Sequence, residues 1–292
     1  MKSILLFMVL LFTTGSLYAQ HPAEPNTQNE MDRISRCKEN YRHLFQGEAL
    51  TGEGSDPELM DILQKFIFGD IFATGTLDHK SRELITCTVL TVMQTMPQLK
   101  AHTGAALNVG VTPIELREAV YQCAPFIGFP KTLNAVATIN EVFTERGITL
   151  PLDKQGSITE TEEERFERGK AIQYPIYGDE IAQAMAPLPA GMGDAVARFL
   201  TEYCFGDLYT RTGLNIQQRE LLIYCILTTI GAAPQLQAHA LGNLKIGNSR
   251  EQLTAAVIQC LPYIGFPLAL QSLKLLRDFP APPTESMKPI AT

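Results

Sequence analysis

Long apolar runs interrupted by proline and glycine dominate the pattern of hydrophobic and polar positions along the chain. The clearest run follows Asp78 and is too long for a single strand, so it fits a helix that its neighbours largely bury. Its apolar positions are Leu84, Cys87, Val89, Leu90 and Met93. Few stretches alternate between apolar and polar residues with period two. We therefore predict an all-α fold.

Residues that favour helix ends lie between these apolar runs. Pro97 and Pro234 suit the first turn of a helix, because a missing N–H costs nothing there. Gly110 and Gly247 suit the left-handed conformation in which a helix often ends. The pattern predicts a series of medium-length helices joined by short turns.

The chain contains two copies of one helical unit. Aligning residues 82–130 with residues 219–267 without a gap gives 22 identities at 49 positions. The shared segments include Arg-Glu-Leu, Pro-Gln-Leu-x-Ala-His and Pro-x-Ile-Gly-Phe-Pro. Such self-similarity is typical of a repeated structural unit. We predict two tandem helical domains, at 31–150 and 163–280, joined by an exposed acidic linker at 151–162.

The first twenty residues have the layout of a secretory signal peptide. Lys2 supplies a positive charge, and the apolar run Ile4–Phe12 is too short for a membrane helix. Small and polar residues then lead to Ala19. We predict that residues 1–20 direct export to the periplasm or beyond. A buried N-terminal helix is the alternative, and the polar, proline-containing stretch that follows argues against it.

Composition and charge exclude several classes of protein. Of the 292 residues, 45% are hydrophobic and 19% charged, which excludes a disordered or collagen-like chain. With 24 Lys and Arg against 31 Asp and Glu, the formal net charge is −7, and no basic cluster interrupts it. This argues against a nucleic-acid partner. No apolar run reaches the ~18–20 residues that span a membrane.

The cysteines and histidines indicate neither a dithiol centre nor a metal site. None of the six cysteines is spaced as Cys-x-x-Cys, and none of the five histidines as His-x-x-x-His. We predict no metal and no cofactor. Cys123 and Cys260 each follow a glutamine and precede a proline-containing break. Buried packing, a reactive thiol and an inter-repeat disulfide all stay open for these two cysteines.

Two pairs of polar residues recur in apolar surroundings and are the candidate catalytic pairs. Glu83 precedes His102 by 19 residues, and Glu220 precedes His239 by the same number. If the two helices pack together, each carboxylate can orient an imidazole whose reference pKa of ~6.5 suits acid–base chemistry. The alternative is that both pairs serve packing alone.

Candidate substrate-binding residues lie beside each pair. Arg82 and Arg219 precede the glutamates and could bind a substrate carboxylate, with a surface ion pair as the alternative. Gln98 and Gln235 precede the histidines by one helical turn and lie on the same face. They could bind a ligand or orient the imidazole ring.

The shared motifs resemble those of the carboxymuconolactone decarboxylase family, and the resemblance covers both halves. It implies two tandem all-helical domains of the alkylhydroperoxidase D-like fold. The segment from Arg168 to Glu180 is similar to the one that leads into the core of the family's decarboxylases. The resemblance also implies a homo-oligomer, in which the fused copies act as an internal dimer within a trimer of two-domain chains.

The redox branch of this family carries the motif Glu-x11-Cys-x2-Cys-x3-His, which this chain lacks. The cysteine positions fall on Thr95 and Gln98 in the first copy, and on Ala232 and Gln235 in the second. These side chains cannot act as thiolates, so peroxidase-type thiol redox chemistry is disfavoured.

The decarboxylase branch resembles the chain better. It implies cofactor-independent acid–base chemistry on a small organic acid or lactone, with each histidine as the acid and each glutamate as its partner. A non-catalytic binding or scaffold protein is the other alternative. A pocket that joins the pair to solvent favours the enzyme, and a sealed pair favours the scaffold.

Overall fold

Fourteen α-helices and no strand make up the part of the chain that the structure, a computed structural model, describes: residues 32–156 and 161–279. The first half contains α1 Arg33–Phe45, α2 Pro57–Gln64, α3 His79–Met93, α4 Met96–Asn108, α5 Pro113–Tyr121, α6 Ala124–Ile127 and α7 Phe129–Glu145. The second contains α8 Glu162–Tyr177, α9 Glu180–Met185, α10 Met192–Phe199, α11 Ile216–Ile230, α12 Ala233–Lys245, α13 Arg250–Ile264 and α14 Phe266–Asp278. The prediction of an all-α fold is confirmed.

Shorter helical segments precede α3 and α11 in the two halves. The π-helical segment Lys65–Asp70 and the 3₁₀ turn Ile71–Ala73 lead towards α3, and the π-helical segment Leu200–Tyr209 leads towards α11. A second 3₁₀ turn, Pro189–Gly191, separates α9 from α10. The predicted signal peptide at 1–20 lies outside the described residues.

Local sequence explains where the central helices begin and end. Pro97 and Pro234 occupy the first turns of α4 and α12, as predicted. Gly110 and Gly247 follow those helices with positive φ angles of 88° and 100°. Such angles favour glycine, because a side chain would clash with the backbone there. The duplicated sequence therefore gives the same helix borders in both halves.

The last two residues of the predicted acidic linker, Thr161 and Glu162, form the start of α8. Thr161 Oγ1 accepts a hydrogen bond from Glu164 N–H, and the Glu164 side chain accepts one from Thr161 N–H. This capping box, together with the acidic first turn of α8, stabilises the helix start. Glu162, Glu163 and Glu164 thus belong to a helix and not to an exposed linker.

The two repeats pack through reciprocal contacts. Arg82 Nη1 donates to Gln259 Oε1 at 2.8 Å, and Arg219 Nη1 donates to Gln122 Oε1 at 2.9 Å. Helix α3 packs against both α11 and α13 of the other repeat. Such exchanged contacts are those of a two-fold dimer. The two repeats therefore form an internal pseudo-dimer that belongs to one compact unit.

A close helix contact in the second repeat positions two tyrosines. Helix α8 packs on the π-helical segment Leu200–Tyr209 at Gly169, where a Cβ would lie 2.2 Å from Thr201 O. Only glycine permits this approach. Because α8 ends at Tyr177 and the π-helical segment ends at Tyr209, both side chains reach the same region beside α11.

None of the helices in the described ranges is long and apolar enough to cross a membrane. Most of the central helix α3 is buried, including Leu84, Ile85 and Val89. Its counterpart α11 is buried in the same way. Burying each large aliphatic side chain contributes about 1.5–3 kcal/mol, so these two helices supply much of the stability at the centre.

Candidate functional site

The predicted glutamate–histidine pairs form in both repeats. His102 Nδ1 lies 2.8 Å from Glu83 Oε2, and His239 Nδ1 lies 2.9 Å from Glu220 Oε2. Each glutamate belongs to the long central helix of its repeat and each histidine to the next helix, as expected. Both carboxylates are fully buried. The spatial pairing is confirmed, and its role in catalysis stays a prediction.

Two tyrosines complete the hydrogen bonds around Glu220 in the second repeat. Tyr177 Oη donates to Glu220 Oε2 at 2.6 Å and lies 2.7 Å from His239 Nδ1. Tyr209 Oη donates to Glu220 Oε1. Burial, and then the nearby Glu220 carboxylate, raises the pKa of both tyrosines above its ordinary value. Both therefore stay neutral donors, and both oxygens of Glu220 are satisfied.

This network determines which nitrogen of His239 can meet a ligand. Because a carboxylate only accepts hydrogen bonds, the Nδ1 that faces Glu220 carries a proton. Nε2 is then the nitrogen available to a bound molecule. It is a base when the ring is neutral and an acid when the ring is protonated.

The first repeat carries phenylalanine where the second carries these two tyrosines. Phe72 aligns with Tyr209 in the duplicated sequence. Phe45 ends α1 and contacts the His102 ring at 5.5 Å, as Tyr177 ends α8 and contacts the His239 ring at 5.1 Å. Without the two hydroxyls, Glu83 Oε1 is buried and receives no hydrogen bond from the described residues.

A cavity of about 510 Å³ opens beside His239. Its lining includes Tyr177, Tyr209, Gln235 and His239 from the second repeat. The first repeat contributes Gln122, Pro125 and Phe126, and the Phe126 ring lies 6.2 Å from the His239 ring. The second site is therefore built from both halves of the chain and meets a space large enough for a small organic molecule.

The surroundings of His102 are more closed. The Phe45 ring packs on one side and Tyr263, which comes from the second repeat, lies 5.8 Å away. The His102 side chain is 10% exposed, against 16% for the His239 side chain. Of the two pairs, the second has the more open histidine.

The two candidate substrate-binding arginines lie in the core. Arg82 donates to the carbonyl oxygens of Leu77, Ile71 and Thr74 in addition to Gln259. Arg219 donates to Glu118 Oε2 at 3.3 Å, to Gln122 and to the carbonyls of residues 211 and 212. The alternative of a surface ion pair is wrong for both, because both are buried. Their guanidinium groups are used to hold the repeats together, which gives no support to a substrate-binding role.

The two candidate glutamines differ in their surroundings. Gln235 lines the cavity, one helical turn from His239. Gln98 is exposed on α4 and lies outside that cavity. In the described part of the chain, neither glutamine is hydrogen-bonded to its histidine. Only Gln235 is thus in position to contact a ligand bound near a candidate histidine.

The cysteines are free, so the predicted alternative of an inter-repeat disulfide is wrong. Cys123 and Cys260 are fully buried, and burial raises the pKa of both thiols. Such thiols are poor nucleophiles, which favours the packing interpretation. Cys204 lines the cavity instead, and burial raises its pKa to about 12.

Several cavity residues were not predicted as site residues. Tyr177 lies inside the segment whose resemblance to the decarboxylases was noted, but its contact with Glu220 depends on tertiary packing. Tyr209 could have been found from the duplication, because it replaces Phe72 beside otherwise matching residues. Phe126, Cys204 and Glu180 carry no local signal of a site. Across the described ranges, no group of three or more metal-ligating side chains occurs.

Fold and site together define a class: an all-helical tandem repeat with a buried glutamate–histidine pair in each copy. The model of the carboxymuconolactone decarboxylase family matches residues 57–141 and 194–278, once in each half. These segments cover more than half of the chain. The protein belongs to the carboxymuconolactone decarboxylase family, as a tandem two-domain member.

Three characterised or named proteins illustrate its relatives. The 4-carboxymuconolactone decarboxylase of Acinetobacter baylyi is 30% identical over 91 residues, which are 31% of this chain and 68% of that protein. A nitrosuccinic acid decarboxylase of Metarhizium robertsii is 30% identical over 94 residues, covering 32% and 62% respectively. Peroxisomal protein 2 of Schizosaccharomyces pombe is 25% identical over 143 residues, covering 49% and 65%. The matches span less than two thirds of the latter two proteins.

Proposed function

We propose that the second repeat catalyses a cofactor-independent decarboxylation, or a closely related acid–base reaction, of a small organic acid or lactone. The observation that carries this proposal is the Glu220–His239 pair at the wall of the cavity, with Nε2 of His239 left available. Two relatives that share about 30% identity are named as decarboxylases, which supports the same reaction type.

In this proposal, protonated His239 is the catalytic acid. As CO₂ leaves, the electron pair of the broken carbon–carbon bond moves into the substrate to form an enolate or a related carbanion. His239 Nε2–H then protonates that carbon, and water returns a proton to the imidazole. Glu220 is a positioning residue that holds the ring through Nδ1 and stabilises its positive charge.

Tyr177 and Tyr209 are positioning residues of the same site. Their hydroxyls donate to the two oxygens of the buried Glu220 carboxylate and hold it in place. Tyr177 also lies beside Nδ1 of His239, which restricts the rotation of the ring. The pair therefore enters the reaction already oriented.

We propose a structural role for the first pair, Glu83 and His102. The absence of the two hydroxyl donors and the aromatic rings packed around His102 favour this role. In this proposal the second repeat is the catalytic half of the chain and the first repeat is its scaffold.

Release of CO₂ from a panel of small organic acids and lactones, some with one carboxylate and some with two, tests the proposed function. The His239→Gln variant is expected to lose a factor of about 10²–10⁴ in kcat/KM, the usual contribution of a positioned acid or base. His102→Gln is the matched control and is expected to stay within about threefold of the wild type. Wild-type turnover by His239→Gln would contradict the proposal.

We further propose that the chain assembles with copies of itself and that it is exported. Matching positions in the two repeats expose large apolar side chains, as a shared contact surface requires. These are Leu59, Ile62, Phe129 and Leu133, and their counterparts Val196, Phe199, Phe266 and Leu270. Light scattering of the purified protein, with Ile62→Glu and Phe199→Glu as the disrupting changes, tests for a trimer of two-domain chains. The mass of the mature chain tests removal of residues 1–20.

A further inference from the structure

The cavity beside His239 has an unusual distribution of charge for a site that takes an organic acid. None of the described residues that line it is lysine or arginine. Its ionisable lining includes Glu180 at the rim and His239, with the buried Glu220 behind the histidine. Most of the remaining wall is apolar and includes Phe126, Leu200 and Phe205.

The described lining of the cavity contains the neutral amide of Gln122, which can donate a hydrogen bond, and no lysine or arginine. Gln122 is fully buried and comes from the first repeat. Because Arg219 can only donate, its 2.9 Å hydrogen bond fixes Gln122 Oε1 towards the guanidinium and leaves Nε2 as the opposite end of the amide. Nε2 has no hydrogen-bond acceptor among the described residues.

Gln259, the equivalent glutamine of the other repeat, has the hydrogen-bond acceptor that Gln122 Nε2 lacks. Gln259 also accepts from an arginine, Arg82, at 2.8 Å, but its Nε2 donates to Thr86 Oγ1 at 3.2 Å. The position that matches Thr86 in the second repeat is Ile223, which has no acceptor. A buried donor without an acceptor is costly, so a small shift of the Gln122 amide towards the cavity that it lines would be favoured when Nε2 can meet an oxygen of a bound molecule.

We propose that this cavity selects a substrate with a single carboxylate on an uncharged, mainly apolar body, that it excludes dicarboxylates, and that Gln122 Nε2 donates to a substrate oxygen. This inference rests on the proposed function for the identity of the site, but it concerns binding alone. One carboxylate can be placed against neutral donors and a protonated His239. A second would lose its hydration with no cation to replace it and with Glu180 nearby.

Calorimetric binding of three matched probes tests the selectivity: trans-cinnamate, 4-carboxycinnamate and methyl cinnamate. We expect cinnamate to bind at least about tenfold more tightly than the dicarboxylate, since desolvating an unpaired charge is expensive. The neutral ester should also bind more weakly than cinnamate. Equal or tighter binding of the dicarboxylate, equal binding of the ester, or failure of cinnamate to bind would overturn the proposal. Because the readout is binding, it is independent of whether any CO₂ is released.

Gln122→Leu and Gln259→Leu form a matched pair for the role of the glutamine. Each removes one acceptor from a buried arginine, so both are expected to lower stability, Gln259→Leu somewhat more because it also loses the hydrogen bond to Thr86. Only Gln122→Leu should weaken cinnamate binding, by about tenfold for the loss of a hydrogen bond to a charged group. Equal effects of the two changes on cinnamate binding would show that Gln122 acts only through packing.

Glu180→Gln provides a further test that leaves the core unchanged. Removing this rim charge should improve binding of 4-carboxycinnamate by about threefold and leave cinnamate nearly unchanged, because interactions between exposed charges are weak. Glu251→Gln removes the same charge from the exposed first turn of α13 and is the control. An equal response of the dicarboxylate to both changes would show that the rim charge has no part in selection.

Discussion

The two repeats use the same glutamate and histidine in different surroundings. In the second repeat, two tyrosine hydroxyls and an imidazole share the Glu220 carboxylate, and a cavity adjoins His239. In the first repeat, the corresponding rings are phenylalanines, and one oxygen of Glu83 receives no donor from the described residues. A shared motif is thus not sufficient to define a shared site. What differs is the set of groups that surround the motif.

Each repeat also contributes residues to the surroundings of the other repeat's histidine. The second cavity needs Gln122, Pro125 and Phe126 from the first repeat, and the first site is closed by Tyr263 from the second. Each half therefore supplies part of the other half's surroundings. In a fused pair, one copy can lose the features of a site while it still completes the site of its partner.

The largest expected effect comes from exchanging the two buried glutamates for glutamine. Glu220→Gln removes the negative charge that stabilises protonated His239, and we expect kcat/KM to fall by about 10³-fold, or about 4 kcal/mol. Glu83→Gln should change it by less than about threefold. Steady-state CO₂ release measures both. Similar losses in the two variants would mean that both halves act in catalysis.

A large effect on stability is expected from Glu118, where the two halves also differ. Its buried carboxylate accepts two hydrogen bonds from Arg211, both 2.8 Å long, and one from Arg219. The matching residue in the other repeat is Ala255. Glu118→Gln should lower the free energy of unfolding by about 3 kcal/mol, because two arginines lose their buried counter-charge. Urea unfolding measures this, with the exposed Glu251→Gln, expected to change it by less than about 0.5 kcal/mol, as control.

The fold, the duplication and both glutamate–histidine pairs could be predicted from the sequence, because each leaves a local or repeated signal. Capping residues and prolines set the helix borders, and a spacing of 19 residues brings each pair together once two helices pack. The buried positions of Arg82 and Arg219 could not be predicted, because nothing local reveals that their partners are Gln259 and Gln122, far along the chain.

The role of Tyr177 could not be predicted from a motif for a related reason, and Tyr209 was marked only by its difference from Phe72. Tyr177 lies 43 residues before Glu220, on a helix whose approach depends on the Gly169 contact. A Tyr in place of Phe indicates a hydrogen bond to a carboxylate only once the structure shows which carboxylate lies beside it. The difference between Tyr209 and Phe72 indicates that the two sites are unlike, whereas the identical glutamates and histidines suggest two equivalent sites.

Replacing the two tyrosines of the second half by phenylalanine, the residue found in the first half, should lower kcat by an intermediate amount. Tyr177→Phe combined with Tyr209→Phe reproduces the surroundings of Glu83 around Glu220, and we expect a loss of about 10- to 100-fold in kcat, equivalent to about 1.4–2.7 kcal/mol. If the hydroxyls only fill space, kcat will not change. Each single change should cost less than the double change, because the remaining hydroxyl still holds one carboxylate oxygen.

The smallest expected effect is the contribution of the two tyrosines beside Glu220 to the loss of stability at alkaline pH, to which Phe45 and Phe72 in the first half cannot contribute. Burial and the neighbouring Glu220 raise the pKa of Tyr177 and Tyr209, whereas Phe45 and Phe72 have no proton to lose. In the unfolded chain a tyrosine loses its proton near pH 10. Above that pH the folded state therefore binds more protons than the unfolded state, and the free energy of unfolding must fall as the pH rises.

Each of these two tyrosines should contribute about 1 kcal/mol of lost stability between pH 10 and 11. The Tyr177→Phe, Tyr209→Phe double variant should consequently show a shallower decline than the wild type over this window in urea unfolding. Tyr263→Phe, beside the first site, removes one buried tyrosine whose pKa is also raised by burial, and should reduce the decline by about half as much. Parallel curves for the wild type and the double variant would mean that these hydroxyls ionise as freely in the folded protein as in the unfolded chain. The buried hydrogen-bond network around Glu220 would then be absent in solution, and with it the distinction between the halves.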